Sequence, residues 1–202
     1  MSPPSLPQVP GPKLAPFTPT AYAEINFMKP LGSSKDQEGH VWKVKINGRD
    51  YALKMVTQYL ARRLAKPQLY IDYFDPFNCE CRVYGRLKQE KCEDLAVRCH
   101  GYLLLTPKQE VEITKKIAGK DYELDSTEKL EGWNLWDRYE QHRGQPIRAI
   151  VKELIDDGKG YGAKPFEAAQ IPRLWGDPER LQSLGILVRD IHIGNYFARE
   201  DR

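Results

Sequence analysis

Hydrophobic and polar positions along this chain fall into blocks with different periods. Residues 1–22 have no period at all. Seven prolines (Pro3, Pro4, Pro7, Pro10, Pro12, Pro16 and Pro19) punctuate a stretch with little that could pack, which predicts an extended, disordered leader. Ile25, Phe27 and Met28 then open an apolar region, and Val44 and Ile46 alternate with lysines, as in a half-buried strand. Asn47-Gly48 follows, a two-residue hairpin signal, because both residue types tolerate positive φ. The return strand places Tyr51, Leu53 and Met55 on one face and Ala52, Lys54 and Val56 on the other. Residues 57–71 give no clear period.

Asp75-Pro76 has the form of an N-cap followed by proline at the first helical position. The predicted helix runs to about Lys88, with Phe77, Tyr84 and Leu87 as its apolar stripe and Glu80 inside that stripe. A carboxylate on a buried face needs a cation, since an unpaired buried charge is costly. Lys54 is the economical candidate, the bland alternative being that Glu80 reaches water at the stripe's margin.

Leu95 to Thr106 reads as a second β region with Gly101 as a bulge. Residues 107–132 read as charged and irregular, followed by Trp133 and Trp136 on a short helix. The span 107–146 is thus expected to be an insertion offering a partner surface, or else two tryptophans covering the core. Ile147 to Ile155 is a further strand. Asp177-Pro178 is a second cap signal for a helix that buries Leu181 and Leu184 and ends at Gly185. The run Gly185 to Val188 then delivers Arg189 and Asp190 into a loop.

Composition narrows the picture. A chain of 202 residues with a net charge of +3 and mixed signs is one domain with a tail, without the basic stripe that binds nucleic-acid phosphates. It has no apolar run of membrane-spanning length and no secretory start, so an intracellular protein is expected, in nucleus or cytoplasm. Cys79, Cys81, Cys92 and Cys99 lack zinc spacing and read as reduced thiols.

Two short motifs carry the candidate chemistry. Ala52-Leu53-Lys54 ends a hairpin strand after a glycine-containing turn, and Arg189-Asp190 with Asn195 fits R-D-x-x-x-x-N. Each alone is weak: A-x-K is common on strands, and Asp and Asn in loops often bond neighbouring backbone. In this order, with Glu80 between them, they resemble the protein-kinase-like superfamily over about residues 23–197. More narrowly, GHVWKVKINGRDYALKM, YFDPFNCECRVYGRL, LAVRCHGYLLL, IRAIVKELI and LGILVRDIHIGNY resemble the kinase-like kinetochore subunit family of filamentous fungi, the Fta-two subunit of the Sim-four complex.

That resemblance implies an α+β fold. Residues 23–156 would be an antiparallel N-lobe with one inward helix, and residues 157–202 a partial helical C-lobe. It implies that Lys54 holds nucleotide phosphates and pairs with Glu80, and that Ala52 and Val41 line an adenine pocket. Gly32 and Gly39 would form the phosphate loop, and the backbone from Glu153 to Ile155 the hinge. Asp190 would accept the proton of the attacking hydroxyl and Asn195 would bind metal, the cofactors being ATP and Mg²⁺.

The chain also departs from the pattern. Six residues separate Gly32 from Gly39, Val188 stands where kinases carry histidine, and the sequence stops at Arg202 before any D-F-G-like strand. The expectation is a catalytically impaired scaffold with protein partners, which the family resemblance implies are kinetochore subunits. Leu181, Leu184 and Trp175 would leave an apolar patch where further C-lobe helices are missing. Two alternatives stand beside it: an active phosphotransferase, of protein-kinase or aminoglycoside/choline type, and an unrelated α+β domain.

Overall fold

The computed structural model describes residues 11–18, 24–31, 39–56, 75–118, 136, 145–155 and 171–188. Five antiparallel strands form one sheet in the order β1-β2-β3-β5-β4, with β1 Ile25–Pro30, β2 Gly39–Ile46, β3 Arg49–Val56, β4 Cys99–Leu104 and β5 Arg148–Glu153. Three α-helices are described: α1 Pro76–Gln89, α2 Pro107–Ala118 and α3 Ile171–Ser183. The fold is α+β.

Asn47 (φ 48°) and Gly48 (φ 83°) make the tight turn between β2 and β3, as their residue types predict. The hairpin register that follows places Val41 beside Lys54 and Lys43 beside Ala52. Across the next ladder Ala52 lies opposite Lys152 and Lys54 opposite Ile150. Gly101 takes φ 148° where the β4–β5 register shifts, so the expected bulge is present.

The strand period of two divides the core between the two faces of the sheet. On one face Val56, Cys99, Tyr102 and Ile150 pack against Phe77, Cys81, Tyr84 and Leu87 of α1. On the other, Trp42, Val44, Leu53, Met55, Ala149 and Val151 pack with Ile113 of α2 and with Trp136.

That second face corrects the expectation of an irregular stretch after Thr106. Thr106 and Gln109 form a reciprocal capping box: the Thr106 amide donates to Gln109 Oε1 at 2.9 Å and the Gln109 amide to Thr106 Oγ1 at 3.4 Å. Pro107 sits where its missing N–H costs nothing. Ile113 and Thr114 are wholly buried, and Trp136 Nε1 donates to Thr114 Oγ1 at 2.9 Å. Of the two readings of the tryptophans, Trp136 follows the core-covering one; Trp133 lies outside the described residues.

The proline-rich leader also needs correcting where it is described. Leu14 (2% exposed) and Phe17 (7%) are core residues, and Pro16 bridges to Tyr102 of β4 in parallel fashion. Composition suggested little to pack, but Leu14 and Phe17, three apart, reach the cores on the two faces of the sheet.

Asp177-Pro178 is not a helix start, since Pro178 lies inside α3, which begins at Ile171. The far end is as predicted: Gly185 (φ 75°) donates its N–H to Gln182 O and Ile186 to Leu181 O, both at 2.9 Å, a Schellman closure. Leu181, Leu184 and Ile186 lean on the α1-side core, which removes the two leucines from the expected patch. Trp175 (73% exposed) remains outside.

Candidate functional site

α1 is seated on the sheet by ionic contacts at two points, Asp75 to β5 and Glu80 to both β5 and β3. At its N-terminus Asp75 caps the helix, its Oδ1 accepting from the Asn78 amide at 3.0 Å. The same carboxylate takes the Arg148 guanidinium in bidentate fashion, at 3.1 and 2.7 Å. The guanidinium carbon also lies 4.9 Å over the Phe77 ring centre.

Five residues further along, Glu80 projects from the same helix between two lysines. Lys54 Nζ of β3 reaches Oε2 at 2.7 Å, and Lys152 Nζ of β5 reaches Oε1 at 2.5 Å. Lys152 also stands 5.0 Å over the Tyr84 ring centre. The ladder explains the convergence, since Ala52 and Lys152 are direct partners, and Lys54 follows Ala52 by two residues on the same face. Three side chains from three elements therefore meet at one carboxylate.

The electrostatics follow from this geometry. Burial alone would raise the Glu80 pKa, but the charges and hydrogen bonds of Lys152 and Lys54 outweigh it and hold the carboxyl below its ordinary value. Burial likewise works against a charged Lys152, but Glu80, with help from Tyr84, raises its pKa above the usual lysine value. Burial pushes the Tyr84 phenol up. The group is thus two ammoniums around one carboxylate, with a net positive charge. An ammonium has three donors, so Lys54, half-buried and bound to Glu80 through one, keeps capacity for an anion.

The other expected site residues fall in several places. Val41 and Ala52 are half-buried on the Lys54 face, Val41 beside Lys54 and Ala52 beside Lys152. Glu153 ends β5 opposite Tyr51, on the face away from Lys54, and its amide donates to the Arg98 carbonyl at 2.9 Å. Gly39 is buried at the start of β2, where a Cβ would run into the Met55 carbonyl. Gly32, Asp190 and Asn195 lie outside the described residues. Among the described residues no group of three or more His, Cys, Asp or Glu is placed to hold a metal. Nor is any described helix long and apolar enough to cross a membrane.

Sequence reasoning missed Lys152 and Arg148. Their signal was present in Ile147 to Ile155, where Arg148, Ile150 and Lys152 alternate with Ala149 and Val151. Two cations four apart on a strand share a face, opposite two carboxylates five apart on the helix that covers it.

Among comparisons with known proteins, a family model described as "Kinetochore Sim4 complex subunit FTA2" matches residues 2–200. No curated protein and no solved structure matches the chain.

Proposed function

The chain belongs to the Kinetochore Sim4 complex subunit FTA2 family, and from that membership we propose that it works in the nucleus as a protein-binding subunit of the kinetochore. On this reading the sheet and α1 are a protein-kinase-like N-lobe used as a scaffold. Support comes from the element order: a hairpin whose second strand carries Lys54, then a helix carrying Glu80, then β4 and β5, with α2 between them.

The observation that carries the scaffold reading is the second lysine. Here Lys152 takes the other oxygen of Glu80, so the carboxylate stays held whatever Lys54 does. The contact works as a fixed tie among β3, α1 and β5.

ATP with Mg²⁺ is the ligand this face would take, through the remaining donors of Lys54 and between Val41 and Ala52, with the backbone from Glu153 to Ile155 as hinge, the Glu153 amide itself being held by the Arg98 carbonyl. Metal would require Asn195, and phosphoryl transfer Asp190. The retained Lys54–Glu80 contact at 2.7 Å favours the alternative reading of an active phosphotransferase. Incubation with Mg²⁺-ATP and a generic protein or small-alcohol acceptor separates the two. The scaffold reading expects no turnover above that of Asp190→Asn, whereas Asp190-dependent phosphorylation would overturn it.

A further inference from the structure

Residues 13–17 run from α1 along the β4 edge of the sheet, in backbone contact with both. The Leu14 amide donates to the Cys81 carbonyl of α1 at 3.0 Å. Three residues on, the Phe17 amide donates to the Tyr102 carbonyl at 2.8 Å, and Tyr102 returns a bond to the Ala15 carbonyl at 3.2 Å. Leu14 is buried in the core beneath α1 and Phe17 in the core on the opposite face, so the segment wraps the β4 edge of the sheet.

Two glycines clear its path. A Cβ at Gly85 of α1 would stand 2.6 Å from the Lys13 amide nitrogen, and one at Gly101 would stand 2.6 Å from that of Phe17. Both clashes are with backbone, which cannot swing aside as a flexible side chain can. A glycine inside a helix otherwise weakens it. At Gly85 the close approach of Lys13 accounts for its presence.

The Cys81 carbonyl that receives Leu14 belongs to the residue after Glu80. We propose that the segment 13–17 is a strap that sets the seat of α1 on the sheet and so holds Glu80 between Lys54 and Lys152. This inference concerns the seating of α1 alone and stands whatever Lys54 binds.

Gly85→Ala and Leu14→Asp in the full chain test it together. In an unencumbered helix Gly→Ala is stabilising. With the strap seated, Gly85→Ala lowers the urea midpoint; in the Leu14→Asp background, where the strap is released, the same change raises it. Leu14→Asp also speeds amide exchange in α1 by about tenfold or more, while β2 and β3 keep their protection. Amine labelling of Lys54 and Lys152 rises with it, and Leu14→Met restores slow labelling. The proposal is overturned if Gly85→Ala stabilises the wild-type chain. It is equally overturned if Leu14→Asp leaves α1 exchange unchanged or loosens every strand alike.

Discussion

Lys152 Nζ and Glu80 Oε1 meet at 2.5 Å, tying β5 to α1 alongside the 2.7 Å contact between Lys54 and the other oxygen. The two lysines are not equivalent. The Lys152 side chain is 19% exposed and stacked over Tyr84, whereas that of Lys54 is 30% exposed.

Removing them should therefore have graded effects. Lys152→Met should destabilise the protein by about 2 kcal/mol and Lys54→Met by about 1 kcal/mol, since either leaves Glu80 with one partner. Glu80→Gln should cost more, about 3 kcal/mol, because it leaves two ammoniums facing each other. Urea unfolding of the three variants checks the order, and a larger loss for Lys54→Met than for Lys152→Met would contradict it.

The pH dependence follows from the same contacts. Glu80 has a folded pKa below its unfolded value, near 4.3, so its contribution is full above that value and is lost as pH falls through the lowered folded value. Stability should therefore drop as pH falls below about 4.5, and Glu80→Gln should flatten that drop. Lys152 has the opposite sign: its raised pKa contributes fully below the ordinary lysine value, near 10.4, and is lost as pH climbs beyond it. Burial and then Arg98 lower the His100 pKa, adding a separate, shallow loss of stability below about pH 6.5 that Glu80→Gln should leave in place. Urea midpoints measured across pH for both proteins decide this.

How far the sequence foretold this arrangement varied with the range of the interaction. The Asn47-Gly48 turn, the Asp75-Pro76 cap and the Gly185 closure rest on local backbone chemistry and were legible. So was the pairing of Lys54 with Glu80, because an inward carboxylate demands a cation. Lys152 was legible only in part: the alternation along Ile147 to Ile155 puts it on one face with Arg148, but its position beside Ala52 depends on β5 inserting between β3 and β4, which no local pattern encodes. α2 was overlooked although Thr106-Pro107-Lys108-Gln109 spells a capping box, since the high charge of the stretch masked its buried stripe. The packing of Leu14 and Phe17 depends on glycines about 70 and 84 residues away, beyond what a period in the leader can report.

Asp75 serves two partners at once, the Asn78 amide and the Arg148 guanidinium. Asp75→Ala should cost about 4 kcal/mol, since it removes a cap and leaves a half-buried guanidinium without its carboxylate. Asp75→Asn should cost less, because the amide oxygen can still accept from Asn78. Thermal unfolding of the pair checks the difference, and equal losses would mean the cap contributes nothing.

Thiol chemistry offers a probe that needs no mutation. Burial is the main cause raising the pKa of both Cys81 and Cys99, with Cys99 at about 11. Cys79 and Cys92 are only half-buried. Alkylation of the native protein at pH 8 should modify Cys79 and Cys92 first, and the buried pair only when the protein unfolds. Mass mapping of the labelled peptides reads the order.

The most direct test of the central claim, that one carboxylate ties three elements together, is a double-mutant cycle on Glu80→Gln and Lys152→Met by urea unfolding. A direct tie predicts a coupling energy of about 1–3 kcal/mol, with the double variant less damaged than the sum of the single ones. Additive losses, with coupling within about 0.3 kcal/mol of zero, would mean that Lys152 and Glu80 do not hold one another.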